Sequence, residues 1–265
     1  MKTIKELKRK NFFLIAGPCV VENEEITNEV AKSLTDICGR LEIPFIFKSS
    51  YKKANRTKID SFTGIGDIHA LKILKQIKDK YNVPITSDVH STEEVELASE
   101  FLDIIQIPSF LCRQTDLLIA AAKTNKIVNI KKGQFMNPIN MNYAIQKIAA
   151  QDNKNIMITE RGSMFGYQDL VVDFKSIPIM KSFGFPIIMD VTHSLQKPNQ
   201  DNGETSGNPE FIETIAKASI AAGVDGIFFE THPEPSKAKS DGSNMIELSK
   251  VEDLLLKLIK IRKAI

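Results

Sequence analysis

The feature that most constrains this chain is an unbroken alternation of short apolar runs with longer amphipathic stretches, repeated eight times. Strand-like runs lie at 12–16, 45–48, 85–88, 104–107, 127–131, 156–160, 187–190 and 226–230. Each leads through a polar or Gly/Pro loop into a helical pattern, at 24–41, 68–81, 92–101, 116–124, 141–151, 174–183, 209–222 and 251–262. Repeated β-then-α units require parallel strands joined by right-handed crossovers, and eight of them close a (β/α)₈ TIM barrel. The length, 265 residues, is that of one such barrel. Pro44, Pro84 and Pro186 stand directly before three of the strands, where proline ends the preceding segment and no ladder donor is lost. With no shift in composition along it, residues 1–265 are expected to form one TIM-barrel catalytic domain, 1–11 being an N-terminal segment that caps the underside.

Bulk properties exclude several classes. A net charge of +2 leaves no basic footprint for nucleic acid, and the basic stretch 2–10 reads as a solvated arm. The apolar run after it, FFLIA, is too short for a signal peptide and runs into Gly17-Pro18. No stretch approaches the ~20 apolar residues of a membrane span. Cys19, Cys38 and Cys112 are odd in number and far apart, which argues against a disulfide framework and for a reducing cytoplasm.

TIM-barrel sites are built at the C-terminal ends of the strands. Those ends carry Cys19, Lys48 with Ser50, Asp88 with His90, Gln106, Lys131 with Lys132, Glu160 with Arg161, Asp190 with His193, and Glu230 with His232. A polar or ionisable residue at every end points to one converging pocket. Two chemistries stand out in it. Lys48, Lys53, Arg56, Lys131 and Arg161 are cations that would repel one another at a barrel mouth unless anions neutralise them. Their number suits more than one carboxylate or phosphate. Lys52, Lys58 and Lys132 read instead as solvated surface cations, and strand alternation should turn Lys131, not Lys132, inward. Cys19, His193, Glu230 and Asp241 form a second set. Thiolate, imidazole and carboxylate together suit zinc, iron, manganese or cobalt better than magnesium, although no compact motif links them. The polar Gly/Asn-rich stretch 196–207 reads as a loop over the site.

In order along the chain, AGPCVVE, FKSSYKKANRTKIDSFTGIG, TSDVH, IQIPSFLCRQTDLL, NIKKGQF, TERGSMFGY, MDVTHSLQ and FFETHPEPSKAKSDG resemble the 3-deoxy-D-manno-octulosonate 8-phosphate synthases, from residue 12 to about 260. The discriminating piece is Lys53-Ala54-Asn55-Arg56-Thr57; the related heptulosonate 7-phosphate synthases carry a shorter Lys-Pro-Arg-Thr-type segment there. The resemblance implies condensation of phosphoenolpyruvate with D-arabinose 5-phosphate, release of phosphate, and a homotetrameric TIM barrel. Cys19 places the chain in the metal-dependent branch, since metal-independent members have Asn at that position. By motif, the divalent metal (Zn, Fe, Mn or Co) would be held by Cys19, His193, Glu230 and Asp241. The groups implied for catalysis are Lys131, His193, Asp241 and Cys19. Lys48, Ser50, Lys53, Gln106, Lys131 and Arg161 would bind phosphoenolpyruvate. Asn55, Arg56 and Thr57 would bind the sugar phosphate, and Asp88 joins the substrate set. Arg113 resembles an arginine that reaches a neighbouring subunit's sugar phosphate. The stretch GSNMIEL after Asp241 departs from the family's usual ending, which leaves the local loop geometry open.

Overall fold

Strand formation follows from branched apolar runs bounded by turns. β1 (Phe13–Gly17), β2 (Phe45–Lys48), β3 (Ile85–Asp88), β4 (Ile104–Ile107), β5 (Ile127–Lys131), β6 (Ile156–Glu160), β7 (Ile187–Asp190) and β8 (Gly226–His232) pair in parallel, each with the next in the chain. β8 also pairs with β1, Phe13 opposite Gly226 and Gly17 opposite Glu230, which closes the barrel. A computed structural model describes residues 11–166, 169–197 and 206–265; the segment 1–10 and the middle of the 196–207 stretch lie outside these. The TIM barrel expected from the alternation is therefore the observed fold.

The helices are α1 (Glu24–Arg40), α2 (Asp67–Tyr81), α3 (Thr92–Ser99), α4 (Thr115–Lys123), α5 (Met141–Ala149), α6 (Ser176–Lys181), α7 (Ile212–Ala221) and α8 (Val251–Ala264). Local signals set their starts: the Asn23 side chain accepts from the Ile26 amide at 2.8 Å at the head of α1, and Ser91 accepts from Glu94 N at the head of α3. Two helices begin two or three residues later than their sequence patterns. The α6 pattern opens as a turn before Ser176, and Pro209–Phe211 form a 3₁₀ turn ahead of α7. The prolines act through their carbonyls: Pro44, Pro84 and Pro186 accept from Leu14, Phe47 and Ile158 amides of the neighbouring strands at 2.8–3.0 Å.

Strand alternation sorts two apolar layers. Phe13, Ile15, Ile46, Ile104, Ile127, Met157, Ile188 and Phe228 fill the barrel interior. Their outward neighbours, Leu14, Phe47, Ile105, Ile130 and Phe229 among them, pack under Leu34, Leu74, Leu118, Ile145 and Leu255 of the helices. Fully burying side chains of this size stabilises by about 1.5–3 kcal/mol each.

β8 runs two residues beyond its expected end. Thr231 and His232 pair with Ile246 and Glu247, an added strand supplied by the departing GSNMIEL stretch after a 3₁₀ turn at Gly242–Asn244. Gln196–Lys197 pair antiparallel with Ser206–Gly207, so the two ends of the polar stretch meet beside the mouth. Among the described residues no helix is long and apolar enough to cross a membrane.

Candidate active site

Seven of the barrel strands carry a polar residue towards their C-terminal end, and β1, apolar throughout, is followed two residues later by Cys19. Two residues beyond the inward apolar positions Ile46, Ile104, Ile188 and Phe228 come Lys48, Gln106, Asp190 and Glu230, all at most 3% exposed. In the same inward phase lie Asp88, Lys131 and, just past β6, Arg161. The apolar interior thus forms a floor; Lys131 Nζ sits 4.2 Å and Lys48 Nζ 5.5 Å from the centroid of the Phe228 ring.

Barrel closure assembles the metal-type donors. Gly17 must come close to β2: a Cβ there would stand 2.0 Å from the Lys48 carbonyl oxygen. That approach carries Cys19 over the mouth. Because Gly17 also faces Glu230 across the β1–β8 seam, donor atoms of Cys19, Glu230 and Asp241 all lie within 4.8 Å of one another. Cys19 Sγ donates to Asp241 Oδ2 at 3.2 Å. Burial and then the Glu230 charge push the thiol pKa well above its usual value, so Cys19 keeps its proton unless a cation displaces it. His193 stands beside the trio with Nε2 3.6 Å from Glu230 Oε1, while its Nδ1 is 2.8 Å from Asp190 Oδ2. A carboxylate on one ring nitrogen is the usual support for an imidazole that ligates through the other. The donor set fits a divalent transition metal.

The cations interlock with these acids. Lys48 Nζ donates to Glu230 Oε1 at 3.0 Å and to Ser50 Oγ at 3.1 Å; Lys53 Nζ donates to the same hydroxyl at 3.1 Å. Ser50 Oγ in turn donates a hydrogen bond to Asp88 Oδ1 at 2.5 Å. Burial alone would raise the Asp88 carboxyl, but the His90 hydrogen bond and the Lys48 and Lys53 charges hold it well below the carboxylate range. For Lys53, burial is outweighed by the Glu230, Asp88 and Asp241 charges, and its pKa rises. Lys131 goes the other way. Burial and the nearby Lys48 charge pull its pKa down against the attraction of Asp190, whose Oδ2 lies 2.5 Å from Nζ. Arg161 is pinned by bonds from Nη2 to the His193 carbonyl and to Gln196 Oε1, both 3.0 Å.

The segment after β2 forms an irregular loop above this cluster, with Lys53 N bonded to Thr63 O at 2.7 Å. Asn55 and Thr57 are exposed on it, whereas Arg56 turns in and donates from Nη1 to Ser240 Oγ at 2.7 Å. Arg56 Nε and Gln106 Oε1 are buried without a partner among the described residues. Arg113 is not brought into the cluster. It is exposed on the β4–α4 connection, its carbonyl accepting from Lys147 Nζ.

Two sequence expectations are corrected. Lys132 is no surface cation: it is fully buried on the outward face of the barrel, 3.3 Å from Glu160 Oε1. Lys52 is only partly exposed and pairs with Glu94 at 2.6 Å and Asp67 at 3.2 Å, which is possible because both carboxylates rise beside the loop from α3 and α2. Lys58 is exposed, as expected. Three connecting residues were given no role by sequence reasoning, although Asp190 stood among the polar strand ends. Asp190 bridges Lys131 and His193, and its inward phase and i,i+3 spacing to His193 were the available signal. Ser240 links Arg56 to Asp241 at 3.3 Å, and Gln196 links Asp241 (3.3 Å) to Arg161. These last two depend on loop placement, which no local pattern encodes.

Comparison with known proteins decides the family. The DAHP synthetase I family profile matches residues 2–265. The chain belongs to the DAHP synthetase I family. Within it, a 2-dehydro-3-deoxyphosphooctonate aldolase of Desulfotalea psychrophila is 52% identical over 252 residues, 95% of this chain and 90% of that protein. Proteins of the same name from Trichlorobacter lovleyi and Koribacter versatilis are 51% and 48% identical, covering 92% and 98% of this chain and 90% and 94% of their own length.

Proposed function

We propose that the chain is a 3-deoxy-D-manno-octulosonate 8-phosphate synthase, joining phosphoenolpyruvate, D-arabinose 5-phosphate and water with release of inorganic phosphate. One observation carries this. A buried cluster of Lys48, Lys131 and Arg161 and a separate loop cation, Arg56, flank the Cys19–Glu230–Asp241 group, in a chain about half identical to relatives whose name describes this product. The Lys53-Ala54-Asn55-Arg56-Thr57 segment favours the five-carbon aldose over the four-carbon sugar of a heptulosonate 7-phosphate synthase.

Lys131 and Arg161 hold the phosphate and carboxylate of phosphoenolpyruvate over the Phe228 floor, assisted by Lys48, Lys53, Ser50 and Gln106. Arg56, with Asn55 and Thr57, holds the sugar phosphate above them, so the aldehyde faces the vinyl carbon at attack distance. C3 of phosphoenolpyruvate bonds to the aldehyde carbon, whose oxygen takes a proton, while water adds at C2 and gives up a proton. The tetrahedral product then expels phosphate by breaking its C2–O bond, leaving a ketone. The lowered pKa of Lys131 makes Nζ a better proton donor to the departing phosphate than an ordinary lysine would be. Asp190 fixes Nζ in place and at the same time orients His193. Cys19, His193, Glu230 and Asp241 would hold a divalent metal (zinc, iron, manganese or cobalt), which when bound supplies Lewis-acid orientation of an oxygen or a more acidic water.

The proposal extends to a homotetramer in the cytoplasm. Exposed Phe110 lies with Arg113 on the β4–α4 connection, and exposed Phe135, Ile139 and Tyr143 lie on the β5–α5 connection and the first turn of α5, an apolar surface suited to a second copy, with Arg113 placed to reach that copy's sugar phosphate. Three buried free thiols suit a reducing compartment.

The bond that breaks is the test of the reaction. With phosphoenolpyruvate carrying ¹⁸O at its bridging position, the released phosphate is expected to retain the label. Unlabelled phosphate, or no consumption of phosphoenolpyruvate with arabinose 5-phosphate present, contradicts the proposal.

A further inference from the structure

Lys131 and Arg161 are neighbours of a second, hidden pair. Parallel pairing sets Lys131 opposite Thr159, so the next residues, Lys132 and Glu160, meet on the outward face of the sheet, behind the site. Both are buried, with side chains 0% and 2% exposed. Lys132 Nζ reaches Glu160 Oε1 at 3.3 Å, the Gly162 carbonyl at 3.2 Å, the Gly133 carbonyl at 3.3 Å and Ser163 Oγ at 3.2 Å. Glu160 Oε1 in turn accepts from the Arg161 and Gly162 amides at 2.9 and 2.7 Å. Gly162 sits at φ +88, a backbone conformation that side-chain-bearing residues rarely adopt, and these bonds hold it there. The loops leaving β5 and β6 are tied once more where Met164 N donates to Gln134 O at 3.0 Å.

A buried ion pair is weak evidence for stability, because desolvating both charges offsets their attraction. Apolar residues of similar size would fill this space between barrel and helices as they do elsewhere in the layer. What the pair does that they could not is grip backbone on both sides: two carbonyls through the lysine and two amides through the carboxylate. The two gripped amides flank the Cα from which Arg161 projects, and the Gly133 carbonyl lies in the turn that leaves β5 two residues after Lys131.

We propose that Lys132 and Glu160 are positioning residues, a buried clamp that sets where Lys131 and Arg161 present their charges to phosphoenolpyruvate. The clamp acts through its neighbours and touches no substrate. It rests on the function proposed above, in which those two cations bind phosphoenolpyruvate.

The single change Lys132→Met would leave Glu160 as a lone buried charge and could fail to fold, so the decisive variant is K132M/E160Q, which removes both charges and nearly preserves volume. The expected result is a folded protein whose Kd and KM for phosphoenolpyruvate rise about ten-fold or more and whose kcat falls. Small misplacement of binding groups has effects of this size. KM for arabinose 5-phosphate should stay within about three-fold of wild type. Glu160→Gln alone keeps an acceptor for both amides and the lysine's grip on both carbonyls but strands the buried Lys132 charge. It should therefore lower Tm while phosphoenolpyruvate affinity of the folded protein lies much nearer wild type. Wild-type phosphoenolpyruvate affinity in the folded double variant overturns the clamp, as does an equal loss for both substrates. The underlying function is judged separately, on wild-type protein, by whether it binds and consumes phosphoenolpyruvate at all.

Discussion

Lys131→Met is expected to lower kcat/KM by about 10²–10³-fold, the cost of removing one preorganised charge aimed at a reacting group. Lys131 is the inward cation nearest the Phe228 floor, its Nζ fixed 2.5 Å from Asp190 Oδ2. In the proposed reaction its loss removes an anchor for phosphoenolpyruvate and the proton donor for the departing phosphate. The fold should survive, because Asp190 keeps four other donors: the Thr192 and His193 amides, the Thr192 hydroxyl and His193 Nδ1. Steady-state kinetics with thermal unfolding separates the two effects. A large kinetic loss with a nearly unchanged Tm fits the proposed role, whereas near-normal kcat/KM would remove Lys131 from the catalytic set.

Cys19→Ala is expected to reduce bound metal, measured by elemental analysis, from near stoichiometric to a small fraction, and activity by about 10² or more. Lewis-acid and template contributions amount to several kcal/mol. The thiol sits between Glu230 and Asp241 and is held protonated by its burial and their charge, so its ligand form exists only when a cation takes the proton's place. Metal lost with full activity retained would exclude the metal from the reaction. Cys19→Asn is the milder change, since metal-independent relatives carry Asn there. It should lose the metal with a smaller loss of turnover than alanine.

The barrel was legible because parallel strands covered on both faces are written as continuous apolar runs, and all eight are found within two residues of their expected ends. The extension of β8 was not, since Thr231 and His232 are strand only because Ile246 and Glu247 come back to pair with them. In the site, period-two alternation sufficed to turn Lys131 inward. It could not reveal that Lys132 is buried, because its partner Glu160 lies on the next strand and meets it only through the register. The metal-type donors illustrate the same limit. Cys19 and Glu230 are 211 positions apart in the sequence, and only closure of β1 on β8 brings them together. Asp190 carried a local signal, its spacing to His193, but Gln196 and Ser240 carried none, since both act from loops whose course is set by tertiary packing.

The identity of the reaction is tested by phosphate release from phosphoenolpyruvate by metal-replete protein, with arabinose 5-phosphate or erythrose 4-phosphate as the aldose. The loop bearing Asn55, Arg56 and Thr57 is proposed to fit the longer sugar. kcat/KM should therefore favour arabinose 5-phosphate by about 10²-fold or more, as expected where polar groups built to bind a substrate are left unpaired by its analogue. Equal use of both sugars, or preference for erythrose 4-phosphate, would contradict the assignment.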